Sequence, residues 1–227
     1  TGLGAADGGC RMSFSGMSRG GGMSLAVTRP LASLVADIGD AKTKDAGSAA
    51  LVEIAKWILT DDWAKVRTKE LEKSNADQKL TPNADQFKKQ LELLQDDELM
   101  KMFQSMRRVG GRPTVDFGLS FAARKEQSDK RRQTALAILD GRMDKTNPDD
   151  LKRLAEIASS DAPDVVLDQA FRRMGELPRD LVADKLTELF KTDKWKVRRA
   201  AAATLLKLSE VKHIRDFLLS LPENRTF

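Results

Sequence analysis

Apolar residues recur at helical spacing along most of the chain, most clearly in residues 192–208, TDKWKVRRAAAATLLKL. Thr192 and Asp193 are suited to capping the first free N–H groups of a helix. Trp195, Val197, Ala201, Leu205 and Leu208 follow at spacings of two to four residues. Four alanines, Ala200 to Ala203, sit in the middle. Alanine favours helix, and its small side chain lets another helix approach closely. A related stretch, 161–177, places Val166, Leu167, Ala170, Met174 and Leu177 in similar order, with Val166 and Val197 31 residues apart. A weaker copy at 129–139 has Ala135, Ala137 and Leu139 on its apolar side. Between these lie 149–157, 179–190 and, beyond them, 210–221, each with Leu or Ile at i, i+3, i+4 spacing. The pattern predicts a helix, a short turn and a second helix, repeated.

The N-terminal half is also helical by pattern. Residues 31–38 predict a short helix after Pro30, 39–47 a linker, and 48–59 an amphipathic helix with Leu51, Ile54, Trp57 and Ile58 on one broad face. Thr60 then caps a helix over 63–73. The words TDDWAKVR (60–67) and TDKWKVR (192–198) match after one deletion, which either marks a diverged repeat or arises by chance. Residues 82–94 and 96–108 predict a helical hairpin; Leu99, Met100, Met102, Phe103 and Met106 at helical spacing read as core. Two glycines and a proline in 109–117 mark a linker and domain boundary. A further helical stretch spans 119–140, and the mixed charges of its middle, 124–132, read as a solvated face. The expected division is an extended arm over 1–29, a helical region over 30–108, the linker, helical repeats over 118–221 and a tail over 222–227.

The run Asp193-Lys194-Trp195-Lys196-Val197-Arg198-Arg199-Ala200-Ala201-Ala202 resembles the second helix of a HEAT repeat. The repeat length resembles the short HEAT-like type of phycobilisome lyases and related proteins of photosynthetic organisms. The resemblance covers roughly 117–221. It departs in the middle copy, where Leu167 follows the valine, and in the first copy, where Arg132-Gln133 stands for Val-Arg. It implies an all-α fold: a HEAT-like α-solenoid in the C-terminal half, beside an N-terminal helical region and arm. Such repeats are scaffolds and carry no chemistry by themselves.

Composition narrows the function classes. The chain has 227 residues, of which 32% are charged and 5% aromatic, with no tyrosine, so a large β-sandwich is not expected. No run approaches the roughly 20 apolar residues of a membrane helix. One cysteine, Cys10, excludes an internal disulfide framework and a cysteine-based zinc site. One histidine, His213, supplies neither a His-based metal site nor a triad, and reads as an ordinary helix residue. Nucleotide loops and the common hydrolase and zinc-protease motifs do not occur. The carboxylate pairs Asp61-Asp62, Asp96-Asp97 and Asp149-Asp150 read as helix starts meeting the positive end of a helix dipole. No catalytic or metal-binding residue is expected.

Net charge +5 and a pI near 9.3 favour acidic partners. Lys130, Arg131 and Arg132 form one basic cluster; Lys194, Lys196, Arg198 and Arg199 form another. These are the candidate partner-binding residues. The N-terminal arm is rich in Gly, Ser and Met and free of acidic residues from Gly8 to Ala36; Arg11, Arg19 and Arg29 are its candidate contacts. Such composition is the signature either of an organelle transit region or of an ordinary disordered tail. The three tryptophans lie in core-like helical contexts, and no nucleic-acid recognition motif occurs. With the HEAT-like resemblance, these features suggest a structural linker that fastens acidic phycobiliproteins, or other linkers, in a phycobilisome in the plastid stroma beside the thylakoid. Cys10 is a candidate bilin attachment point; no other cofactor is expected. The alternatives are a HEAT-like bilin lyase or lyase subunit, and a helical subunit of another organellar complex.

Overall fold

A computed structural model describes residues 32–37, 39–208, 212, 215 and 216. Among them all regular structure is helical. The helices are α1 (32–37), α2 Ala41–Ile58, α3 Asp61–Asp77, α4 Ala84–Val109 and α5 Arg112–Ala122. They continue with α6 Asp129–Ala137, α7 Pro148–Ser159, α8 Asp164–Met174, α9 Arg179–Phe190 and α10 Trp195–Lys207. Of the helix expected over 210–221 only residues 212, 215 and 216 are described, and they are helical; the arm and the tail lie outside the described residues, as do His213, Cys10, Arg11, Arg19 and Arg29.

Local chemistry sets these boundaries, and in several places it overrides the expected ones. The linker expected over 39–47 is mostly helix, because Asp40 caps α2 by accepting from the Thr43 N–H at 2.7 Å. Gly47 lies inside that helix, where a Cβ would sit 2.9 Å from Val35 Cγ1, so its bareness lets α1 pack closely. The hairpin expected within 82–108 is one helix of 26 residues. Residues 94–97 hold no Gly or Pro to break it, and Asn83 and Gln86 form a reciprocal capping box at its start. The chain instead reverses between α3 and α4, where Lys79 takes φ +53°. The linker expected over 109–117 shrinks to Gly110 and Gly111, with φ +73° and +87°, and α5 begins at once at Arg112. The stretch expected over 119–140 breaks after Ala122 and restarts when Ser128 caps α6. Thr192 and Asp193 do not cap α10; Lys194 precedes its first residue without a side-chain cap.

The helices form two layers. On one side α2, α5, α7 and α9 touch in order; on the other α4, α6, α8 and α10 do. Rungs join the layers: α2 to α4, α5 to α6, α7 to α8, and α9 to α10. One hydrophobic core runs through the stack. It crosses the expected domain boundary, because Phe103 of α4 meets Phe121 edge-on at 5.4 Å and Phe117 at 6.2 Å, both from α5. At Gly118 a Cβ would lie 2.8 Å from the Ala135 backbone oxygen, so this glycine sets how closely α5 and α6 cross. Ala201 is fully buried, in line with the crowding its small size allows.

Polar bonds between elements repeat at near-constant sequence separation. Trp63 reaches Glu98 (35 residues), Arg131 reaches Asp96 (35), Arg107 reaches Asp140 (33), and Arg173 reaches Asp140 (33). Arg112 reaches Asp150 (38) and Arg153 reaches Asp116 (37). The buried Ser48–Thr114 pair and the Asp45–Arg112 bond span 66 and 67 residues, about twice that interval. Most of α3 and the first half of α4 account for the doubling, since α2 stacks directly on α5.

Candidate partner-binding surface

Among the described residues, most of the basic side chains singled out in the sequence are tied to the protein itself. In α6, Arg131 donates to Gln95 Oε1 at 3.0 Å and to Asp96 Oδ1, clamping α6 to α4. Arg132 is buried, and its Nε donates to the Ala122 carbonyl at 2.8 Å, satisfying the end of α5. The expected solvated face therefore includes a buried cation; only Lys130 of this cluster is exposed. Before α10, Lys194 Nζ donates to the Ser159 carbonyl at 2.7 Å and to Asp161 Oδ1 at 2.9 Å. Lys196 pairs with Asp164 at 2.6 Å, and Arg198 folds back with Nε and Nη2 on the Thr192 carbonyl at 3.1 and 2.9 Å. The two lysine pairs are exposed, so they orient more than they stabilise. Helix α8 stands between α6 and α10, so the two clusters are not one patch.

What faces outward on α10 is different. Trp195 is 62% exposed, Arg199 is exposed one turn later, and Leu206 is 55% exposed further along. Positions 195, 199, 202 and 206 follow one another around the same side of a helix. The opposite side holds the buried Val197, Ala201, Thr204 and Leu205. The core-like placement expected for all three tryptophans holds for the buried Trp63, while Trp57 is half-buried and Trp195 points out. The reason lies in spacing. Trp195 and Val197 are two residues apart, about 200° around a helix, so they cannot share a face. The resulting stripe on α10 is aromatic, cationic and apolar, with the half-buried Ala202 between Arg199 and Leu206.

The carboxylate pairs have structural partners. Asp61 and Asp62 lie in the first turn of α3, and Asp149 and Asp150 in that of α7. Asp96 and Asp97 instead lie mid-helix, paired with Arg131 and Lys101. The pair nearest in type to an acid–base couple went unread in the sequence: Asp140 and Glu176, 36 residues apart in the chain. Arg173 bridges them, with Nη1 on Asp140 Oδ1 at 2.9 Å and Nη2 beside Glu176 Oε1 at 2.8 Å. Hydrogen bonding and charge from Arg173 hold Asp140 below the usual aspartate range. Burial pushes Glu176 up. Their other oxygens accept from Arg107 Nη2 and the Gly141 N–H, so all four serve the joint between α4, α6 and α8.

This joint gives the fold a pH dependence. Asp140, and Asp116 held low chiefly by Arg112, contribute stability above the unfolded aspartate value and lose it as pH falls through their lower folded values. Glu176 acts with opposite sign: its contribution is complete below the unfolded glutamate value and is lost as pH rises through its raised folded value. Glu176→Gln stays uncharged throughout. Its stability relative to the parent is expected to improve as pH rises from the unfolded glutamate value through the raised folded value of Glu176. Melting at stepped pH checks this; a constant difference would remove burial of Glu176 as the cause.

No described group of three or more His, Cys, Asp or Glu residues is placed to hold a metal, and no described helix is long and apolar enough to cross a membrane. Comparisons with known protein families, curated proteins and solved structures return no match to this chain.

Proposed function

We propose that the chain is a non-catalytic helical-repeat scaffold of HEAT-like type, which binds acidic protein subunits through the outward face of α10. The observation that carries this reading is the stripe of Trp195, Arg199 and Leu206 on a helix whose other face is fully used by the core. An exposed tryptophan beside a cation is a favoured hot-spot pair at protein interfaces. The two-layer ladder, with polar bonds recurring every 33 to 38 residues, supports a repeat scaffold beneath it. The light-harvesting setting, in the plastid stroma beside the thylakoid, rests on the sequence resemblance and the acid-poor N-terminus. In that setting the partners are phycobiliproteins, whose acidic surfaces the cations of α10 would attract.

The test is binding of the purified chain to purified phycobiliprotein assemblies, in low and in moderate salt. Expected is a salt-weakened stoichiometric complex, with affinity reduced at least about 10-fold by Trp195→Ser with Arg199→Glu. Equal binding by parent and variant would remove α10 as the surface. No binding by the parent would remove the light-harvesting reading. Bilin transfer to chromophore-free subunits would replace the scaffold with a lyase.

A further inference from the structure

Helix α3 carries on its inner side the same pair of residues that α10 carries on its outer side. Residues 63–67 read WAKVR and residues 195–199 read WKVRR, so each helix has a tryptophan followed four residues later by an arginine. That spacing sets the two side chains one above the other on a single face. In α3 the pair is occupied. Trp63 Nε1 donates to Glu98 Oε2 at 2.7 Å, and Arg67 Nη2 meets Glu98 Oε1 at 2.8 Å. The carboxylate comes from α4, where Glu98 is 4% exposed, with the buried Leu99 next in sequence and the buried Met102 one turn on. One donor for each oxygen lets a charged group stay inside an apolar contact between two helices.

In α10 the same pair faces outward: Trp195 is 62% exposed and Arg199 is exposed. Two differences leave it more open to an outside carboxylate than its counterpart in α3. Arg67 also pairs with Glu70, three residues on, whereas the equivalent position in α10 is Ala202. Helix α10 itself contains no acidic residue. Lys194 and Lys196 find carboxylates in Asp161 and Asp164, but among the described residues Arg199 has none. We infer that Trp195 and Arg199 clasp a single glutamate presented by a helix of the partner, as Trp63 and Arg67 clasp Glu98 of α4. The inference rests on the reading of α10 as the binding face and names what that face recognises. The indole N–H takes one carboxylate oxygen and the guanidinium the other. A free anion would leave the Trp195 ring and Leu206 uncovered; a helix whose glutamate stands among apolar residues covers both.

The probe is a labelled peptide of residues 83–106 of this chain, which holds most of α4 with its capping box, Glu98 and the apolar residues beside it. Its binding to the full chain is followed by fluorescence anisotropy. Expected is saturable binding, weakened at least about 10-fold by Glu98→Gln in the peptide. Trp195→Phe in the chain, which keeps a ring and loses the N–H, and Arg199→Gln should each weaken it to a similar degree. Both side chains are exposed, so these variants should keep the parent's melting temperature. The Arg199→Glu chain should prefer a Glu98→Lys peptide to the parent peptide, a reversal that loss of fold cannot produce. No saturable binding, equal affinity for the glutamate and glutamine peptides, or indifference to Trp195→Phe overturns the proposal. Phycobiliprotein binding that survives Trp195→Phe and Arg199→Gln removes the clasp and keeps α10 as the binding face. Peptide binding with the expected losses, but no binding of phycobiliproteins, supports the clasp and removes only the light-harvesting setting.

Discussion

Arg112→Ala is expected to lower stability by about 3–5 kcal/mol, toward the lower end, because it strands a buried carboxylate. Arg112 opens α5, and its side chain holds Asp150 of α7 through both oxygens, at 2.8 and 2.7 Å. The same guanidinium binds Asp116 at 3.1 and 2.6 Å, while the Arg112 backbone N–H donates to Asp45 of α2 at 2.9 Å. One residue thus fastens three consecutive helices of one layer. Its proton is held more tightly than in free arginine, first by the hydrogen bonds to Asp150. Asp150 is fully buried, but Arg112 is 38% exposed at its side chain, so water can enter when it is cut back; that is why the lower end applies. Chemical denaturation of the single variant and of Arg112→Ala with Asp150→Asn forms the test. The second change should restore part of the loss, because it removes the stranded charge. Arg112→Lys should fall between, since an ammonium cannot hold two carboxylates in a fork. A single variant within about 0.5 kcal/mol of the parent, the range of ordinary surface changes, would mean that this joint does not bear on stability.

Phe103→Ala should cost a similar amount, about 3–5 kcal/mol, by a different route. Phe103 is fully buried and meets Phe117 and Phe121, which themselves lie 5.5 Å apart. Removing it opens a cavity where α4 meets α5 and forfeits an edge-to-face contact. Because the three rings straddle the two-glycine break, the loss should appear in one cooperative unfolding transition of the whole stack. Two transitions, with only the earlier one shifted, would restore the separate N-terminal region read from the sequence. Phe103→Leu, which keeps much of the volume, should cost visibly less.

Helix α9 was legible in full, over 179–190, because a proline precedes it and Val182, Leu186 and Leu189 follow at spacings of four and three. The Met-rich face of α4 was legible as core for the same reason: Leu99, Met102, Phe103 and Met106 are all buried. The split of α4 was misread because Gln95-Asp96-Asp97 looks like a turn, although nothing there stops a helix. These side chains are instead used across the stack, where Gln95 donates to the Ile58 carbonyl at 2.9 Å and Asp96 accepts from Arg131. The outward turn of Trp195 was available from the sequence, since two residues of spacing cannot place it beside Val197. The fate of the basic clusters was not.

By itself the sequence determined that this protein is all helical, where most helices lie, and which faces of them are apolar. Those properties depend on residues a few positions apart, which share a turn or a face whatever the rest of the chain does. Only the tertiary structure decided which charges remain free. Arg131, Arg132, Lys194 and Lys196 find their partners on neighbouring elements, as far as 36 residues away. A charge run reads the same whether it faces water or a carboxylate brought to it by stacking. That stacking tied five of the seven described candidates, Arg131, Arg132, Lys194, Lys196 and Arg198, to the protein's own groups, and left Trp195, Arg199 and Leu206 exposed along one side of α10.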